Sequence, residues 1–202
     1  YAATSVLRCS PLNRALGIRS GMNPVFEELN KYEALYSKEC SERKPFNDRI
    51  RYASERWIDK PASDLPEIKI NWDLSKSSQR HSLDRFTKEQ FLEEYPNGFA
   101  VGHLRLEELD RCLHSFSYRE KDNIWDGGSK SKLAFLIQYA LEGHPVSPIL
   151  VKPISEQGVI LFGGHHRYAL AKATDSDIVP ICVEWQNVED ISGLLDVTWI
   201  DA

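Results

Sequence analysis

Leu161-Phe162-Gly163-Gly164-His165-His166-Arg167-Tyr168 decides how the rest of the chain is read. The apolar run Val159-Ile160-Leu161-Phe162 has the composition of a strand, and it stops at two glycines. From His165 to about residue 174 the composition becomes helical. A strand that halts at two glycines and restarts as a helix presents unpaired N–H groups and the positive end of a helix dipole, which together attract an anion. Gly163 and Gly164 remove side chains where a phosphate would approach the backbone, and they permit the positive φ of a sharp corner. Arg167, one turn into the helix, can offer a forked, charge-assisted contact to phosphate oxygens. His165 and His166 change protonation near neutral pH, so either can hold a phosphate or move a proton; the sequence leaves open which one faces a pocket. The competing reading is an ordinary tight turn whose histidines cap or pack.

Working outward, Pro148-Ile149-Leu150-Val151-Lys152 reads as a strand and Ser155-Glu156-Gln157-Gly158 as a turn, so 148–162 forms a hairpin. The preceding helix is the clearest in the chain. Leu133, Leu136, Ile137, Ala140 and Leu141 fall at helical spacing, the start lies within 129–132, and Gly143 with Pro145 supplies the stop. After the corner, Ile178-Val179-Pro180-Ile181-Cys182-Val183 is a strand whose proline predicts an edge or end position, and 190–195 is a short helix. A strand over 99–104, a helix over 106–113 and a polar loop through Asp126-Gly127-Gly128 complete this half.

The turn Pro96-Asn97-Gly98 marks a change of texture and divides a mainly helical extension, 1–97, from a domain at 98–202. In the extension, 24–40 is an amphipathic helix with Asn23 as N-cap, and 47–58 is a second helix. Residues 60–73 form a loop leading to a short strand with Ile68, Ile70 and Trp72 alternating. Thr87-Lys88-Glu89-Gln90 fits a capping box that starts a helix to about Tyr95. The predicted fold class is α/β in the mixed α+β sense: a small mixed sheet with helices around it, behind a helical extension.

Bulk properties set limits. A chain of 202 residues that is 42% hydrophobic can bury one substantial core with an appendage. No run of about 18 apolar residues exists, so no membrane span is expected. Residues 1–8 contain no continuous apolar signal region, and Cys9, Cys40, Cys112 and Cys182 are too scattered for a metal knuckle or a disulfide framework. Reduced thiols place the protein in a cytoplasm. A net charge of -5 argues against coating nucleic acid by charge alone.

Phe162-Gly163-Gly164-His165-His166-Arg167-Tyr168-Ala169 resembles the Phe-Gly-Gly-Cys-His-Arg-Tyr signature of sulfiredoxin and the Gly-His-His-Arg of ParB-like domains. The surroundings are similar too: helix 130–141, the Pro148-Ile149 strand with its hairpin, and the Val179-Pro180-Ile181 strand. The resemblance to this ParB/sulfiredoxin superfamily covers roughly 99–184 and has no counterpart for the N-terminal region. It implies a nucleotide, ATP, held by the corner. Gly163, Gly164, His166 and Arg167 would meet its phosphates, Ser129, Lys130, Ser131 and Lys132 would assist, and magnesium would accompany it. His165 stands where sulfiredoxin carries its catalytic cysteine, and Cys182 and Cys112 lie elsewhere in the sequence, so sulfinyl repair is rejected. The helical extension and the histidine variant resemble plasmid fertility-inhibition proteins of the Osa type. That implies ATPase and DNA-cleaving activity, with DNA and a coupling component of a conjugative type IV secretion system as partners.

His165, His166 and Arg167 are therefore the candidate catalytic residues. Glu107 and Glu108 are in reserve for activating water or approaching magnesium, although a solvated helix surface is the competing reading. Trp125 sits in the polar loop where a base could reach it, while the basic stretch Arg43, Lys44, Arg49, Arg51 and Arg56 reads as a solvated face. His81 reads as a surface or structural residue. The alternatives to an ATP hydrolase are a module that binds a nucleotide or a protein carboxylate without turnover, and a kinase acting on an amino-acid hydroxyl.

Overall fold

The apolar runs on either side of the 155–158 turn pair as an antiparallel hairpin, and the sheet grows from it. The computed structural model describes residues 24–83, 86–155 and 158–200. The Asn23 cap, residues 1–8, Cys9 and the tip of the 155–158 turn at Glu156 and Gln157 lie outside them. In chain order the elements are α1 (Pro24–Ser54), α2 (Lys76–Gln79), α3 (Lys88–Glu94), β1 (Ala100–Arg105), α4 (Leu106–Cys112), α5 (Lys130–Leu141) and β2 (Ile149–Ser155). They continue as β3 (Gly158–Gly163), α6 (His165–Ala173), β4 (Ile178–Val183), α7 (Val188–Leu194) and β5 (Thr198–Trp199). This is a mixed five-stranded sheet of order β3-β2-β4-β1-β5 with helices packed around it, behind a helical N-terminal region. No helix among the described residues is long and apolar enough to cross a membrane.

β4 is central rather than an edge. It pairs antiparallel with β1 from Ala100↔Val183 to Arg105↔Ile178, and parallel with β2 only at Ile149↔Ile181 and Leu150↔Cys182. Pro180 is tolerated because β2 joins one residue later, so its missing N–H falls where the ladder has no second neighbour to serve. The short strand expected near Trp72 reduces to a single bridge, Trp72↔Val146, and the rest of 66–71 is irregular.

The two helices expected over 24–40 and 47–58 are one. α1 runs through Pro45 for 31 residues and ends in a 3-10 turn, Glu55–Trp57. A proline removes one i→i−4 bond, here to the Ser41 carbonyl. Contacts on the C-terminal side hold the helix in place. Ile50 is fully buried, Phe46 meets Tyr139 edge-on, and Arg49 makes a forked pair with Glu142 at 2.8 and 3.1 Å.

Three apolar clusters explain the layers. One sheet face, with Ile149, Val151, Val159, Leu161, Val179 and Ile181, packs on Tyr168 of α6, Leu109 of α4 and Ile191 of α7. The other face presents Leu150 and Cys182 to Phe91 and Phe99. The third cluster joins Trp57, Ala62 and Ile68 to Leu133, Ala134 and Ile137 of α5 and Leu170 of α6. Core packing thus crosses the turn at 96–98: Phe91 and Trp57 each remove side-chain area worth about 1.5–3 kcal/mol that the C-terminal half would otherwise expose. On α5 the buried face is Leu133, Ala134, Ile137, Gln138 and Ala140, and Leu136 and Leu141 pack at its margin, partly buried. Buried Gln138 is satisfied by accepting from Trp57 Nε1 at 2.9 Å and donating to Glu142 at 2.8 Å.

Candidate functional site

The corner forms as its sequence implies. β3 ends at Gly163, Gly164 caps α6 in the left-handed region with φ 94° and ψ 22°, and α6 begins at His165. Its surroundings differ from an open anion cradle. A Cβ on Gly163 would lie 2.1 Å from the Ser82 carbonyl oxygen, so this glycine admits the 80–83 segment against the strand end. A Cβ on Gly164 would meet the Ile149 backbone at 3.3 Å.

Arg167 is turned inward to the same segment. Its Nη1 donates to Ser82 Oγ at 3.0 Å, to the Ser147 carbonyl at 3.3 Å and to the Pro148 carbonyl, while Nη2 donates to the His81 carbonyl at 2.7 Å. These acceptors are all uncharged. Among the described residues no carboxylate pairs with this guanidinium, and burial pulls it down to about 10. Arg167 therefore braces 81–82 against 147–148 and brings an uncompensated positive charge with it.

The same packing brings a sulfur close to the corner, which the sequence did not reveal. Cys182 Sγ is 3.8 Å from Ser82 Oγ. It is completely buried, and burial pushes its thiol up to about 12, so it stays protonated and is no nucleophile. His165 and His166 each have a buried Nε2 without a hydrogen-bond partner. Both are held below the usual imidazole range, first by burial; Arg119 adds to this at His165, and Lys132 at His166. His166 lies against Gly128, whose added Cβ would sit 3.2 Å from its Nε2, so it stands behind the start of α5.

In front of that start opens a cavity of about 540 Å³. Arg43, Asn47 and Arg51 of α1 form one wall; Ser129, Ser131, Lys132, Phe135, Leu136 and Tyr139 form another; His81, Pro145, Val146, Ser147 and Arg167 close the end. Among the described residues, four cations and no carboxylate line it. Ser129 caps α5 by accepting from Lys132 N at 3.4 Å, and its hydroxyl lies 2.9 Å from that of Ser131. His81 is exposed overall, and its imidazole is pushed down to about 4, first by desolvation against the protein and then by the positive charges of Arg80, Arg43 and Arg167.

The structure thus gathers Ser129, Ser131, Lys132 and Arg167 around one space, with His166 behind it. It does not gather the others. Gly163 is covered by Ser82, and Lys130 is committed to Asp59 at 2.6 Å. Glu107 and Glu108 sit at the opposite end of α6: Leu106 N bonds the Asp177 carbonyl at 2.9 Å, and Glu108 accepts from Asp196 N at 2.7 Å. The nine residues of α6 separate that end from the corner by about 13 Å. Adjacent Asp110 accepts from Tyr168 Oη at 2.6 Å and pairs with Lys172, a structural link. Trp125 donates to the Lys60 carbonyl at 2.6 Å and packs with the Trp57 cluster, away from the cavity. Among the described residues no three His, Cys, Asp or Glu side chains converge as a metal-binding group.

Asn47, Phe135 and Tyr139 are cavity residues that the sequence did not single out, while Arg43 and Arg51, read there as a solvated face, and His81, read as a surface or structural residue, also line the cavity. The available signal was the four-residue repeat Arg43, Asn47, Arg51, which puts all three on one helix face only if the helix continues through Pro45. No protein-family model, no curated protein and no solved structure matches the chain.

Proposed function

We propose that the chain binds a phosphorylated ligand, a nucleotide such as ATP, in the cavity between α1 and α5. The observation that carries this reading is the lining: Arg43, Arg51, Lys132 and Arg167 converge with no carboxylate among the described lining residues, and half-buried Arg167 has no carboxylate partner among the described residues. Converging like charges repel, and a bound polyanion relieves that repulsion while gaining charge-assisted hydrogen bonds. The volume falls within the roughly 300–1,000 Å³ range of small-molecule sites. Half-buried Phe135, Leu136 and Tyr139 give the apolar contact a base requires. Ser129 and Ser131 add hydroxyls. Magnesium arriving with a nucleotide would be held by phosphate oxygens, these hydroxyls and water.

The ParB/sulfiredoxin resemblance attaches ATP hydrolysis and DNA cleavage to such a site, with inhibition of plasmid transfer at a conjugative type IV secretion system as the setting. In that reading Lys132 and the arginines stabilise the charge that develops on the phosphates. A second reading, binding without turnover, is favoured by the absence of any lining carboxylate to orient water. Calorimetric titration with ATP and measurement of phosphate release, both repeated on Lys132→Gln, separate the readings. Binding with release that falls in the variant supports hydrolysis, and binding without release above the protein-free rate identifies a binding module. No heat of binding at millimolar ATP eliminates the nucleotide reading.

A further inference from the structure

α1 and α5 present complementary stripes to the cavity. Arg43, Asn47 and Arg51 recur every four residues on α1, so they share a face, and the two arginines stand about 12 Å apart along the axis. Lys132, Phe135, Leu136 and Tyr139 have the i, i+3, i+4, i+7 spacing of one face of α5. The helices run antiparallel: Arg49 reaches Glu142 at the end of α5, while Asp59, beyond the end of α1, meets Lys130 at its start. The cavity is therefore a slot with cations on both long walls and an apolar strip on the α5 side.

The α1 cations are available to a ligand. Glu39, the carboxylate one turn before Arg43, is committed to Arg80, and its carboxyl is held down chiefly by that hydrogen bond. Arg51 shares Asp48 at 3.0 Å, but its side chain is 61% exposed, so this contact is weak and exchangeable. A single phosphate is too compact to engage Lys132 with its neighbouring serines and also two arginines two turns apart on the opposite wall. A phosphate chain can do so, with a planar base against Phe135 and Tyr139.

We infer that the ligand is a nucleoside di- or triphosphate and that α1, through Arg43 and Arg51, supplies the subsite for the distal phosphates and so sets the preference for phosphate-chain length. This rests on the nucleotide reading above and extends it to a helix outside the region of resemblance. The test is titration of ATP, ADP and AMP into the full chain, the Arg43→Gln/Arg51→Gln double variant and Lys132→Gln.

The native chain is expected to bind ATP about tenfold or more tighter than AMP, since each added charge-assisted contact contributes. The double variant is expected to bring ATP and AMP within about twofold by weakening ATP alone, whereas Lys132→Gln weakens all three. An unchanged ATP/AMP ratio in the double variant overturns the inference while leaving the nucleotide reading intact. No binding of any of the three to the native chain overturns both. Restoration of the ratio by Arg43→Lys/Arg51→Lys ties it to charge. Should the double variant fail to fold by circular dichroism, Arg51→Gln alone, at an exposed position, carries the same test with a smaller change in ratio.

Discussion

The corner at 163–167 and the stripe at 43–51 both offer arginine, yet they use it in opposite ways. At the corner the backbone and the guanidinium are turned to the protein itself: Gly163 receives Ser82, and Arg167 serves four neutral acceptors, three of them backbone carbonyls. On α1 the arginines face a cavity and have few fixed partners. The first region is a brace, and the second is an open cationic surface that, in the proposed reading, a ligand would complete. A motif rich in phosphate-binding residue types can thus be absorbed in structure, while an ordinary charged helix face supplies the open charge.

The largest expected effect is on the brace. Gly163→Ala forces a methyl group into the Ser82 carbonyl and should destabilise the fold by on the order of 3 kcal/mol, read from denaturant unfolding. A loss under about 0.5 kcal/mol would mean that the 80–83 segment is not seated as described. Arg167→Gln should follow at about 1–2 kcal/mol, because the carbonyls of His81, Ser147 and Pro148 lose donors in a partly buried setting. If this variant kept full stability and lost only ligand affinity, Arg167 would belong with the cavity wall and the contrast would collapse.

Lys132→Gln should show the opposite balance, with stability within about 0.5 kcal/mol of the native chain and ATP affinity lower by about tenfold. Smallest is the response of the α1–α5 clamp to acid. Glu142 is held down to about 2, chiefly by its hydrogen bond with Arg49. A carboxylate whose folded pKa is depressed adds stability that is complete above its usual 4.5 and is lost as pH falls through about 2. Hydrogen exchange along α1, taken relative to the intrinsic amide rate at each pH, should therefore accelerate across that window. Glu142→Gln should remove the pH dependence of the acceleration, and an unchanged profile would show that the apolar contacts of Ile50 and Phe46 alone seat the helix.

Much of the secondary structure was legible because its signals are local. The glycine pair ends β3 and starts α6, Thr87 caps α3 by accepting from Gln90 N at 3.1 Å, and Ser129 starts α5. Pro45 and Pro180 misled for one reason: a missing N–H is costly only where a partner was due, and partners are set by neighbours distant in sequence. The site was half legible. Ser129, Lys132 and Arg167 reach it, but Glu107 and Glu108 do not, because nearness in sequence to β1 says nothing about which end of α6 their helix meets.

By itself the sequence determined the mixed α and β class, the hairpin, and the strand-to-helix turn at Gly163-Gly164, since glycine φ, capping hydroxyls and apolar periodicity act over a few residues. Only the tertiary structure decided that Ser82 would close the corner, that Arg167 would turn inward, and that α1 would lie antiparallel to α5 and make a cationic slot. Those outcomes depend on which backbone carbonyls and charges meet across long stretches of chain, 41 residues for Glu39 and Arg80 and 93 for Arg49 and Glu142, and no short-range pattern encodes that meeting.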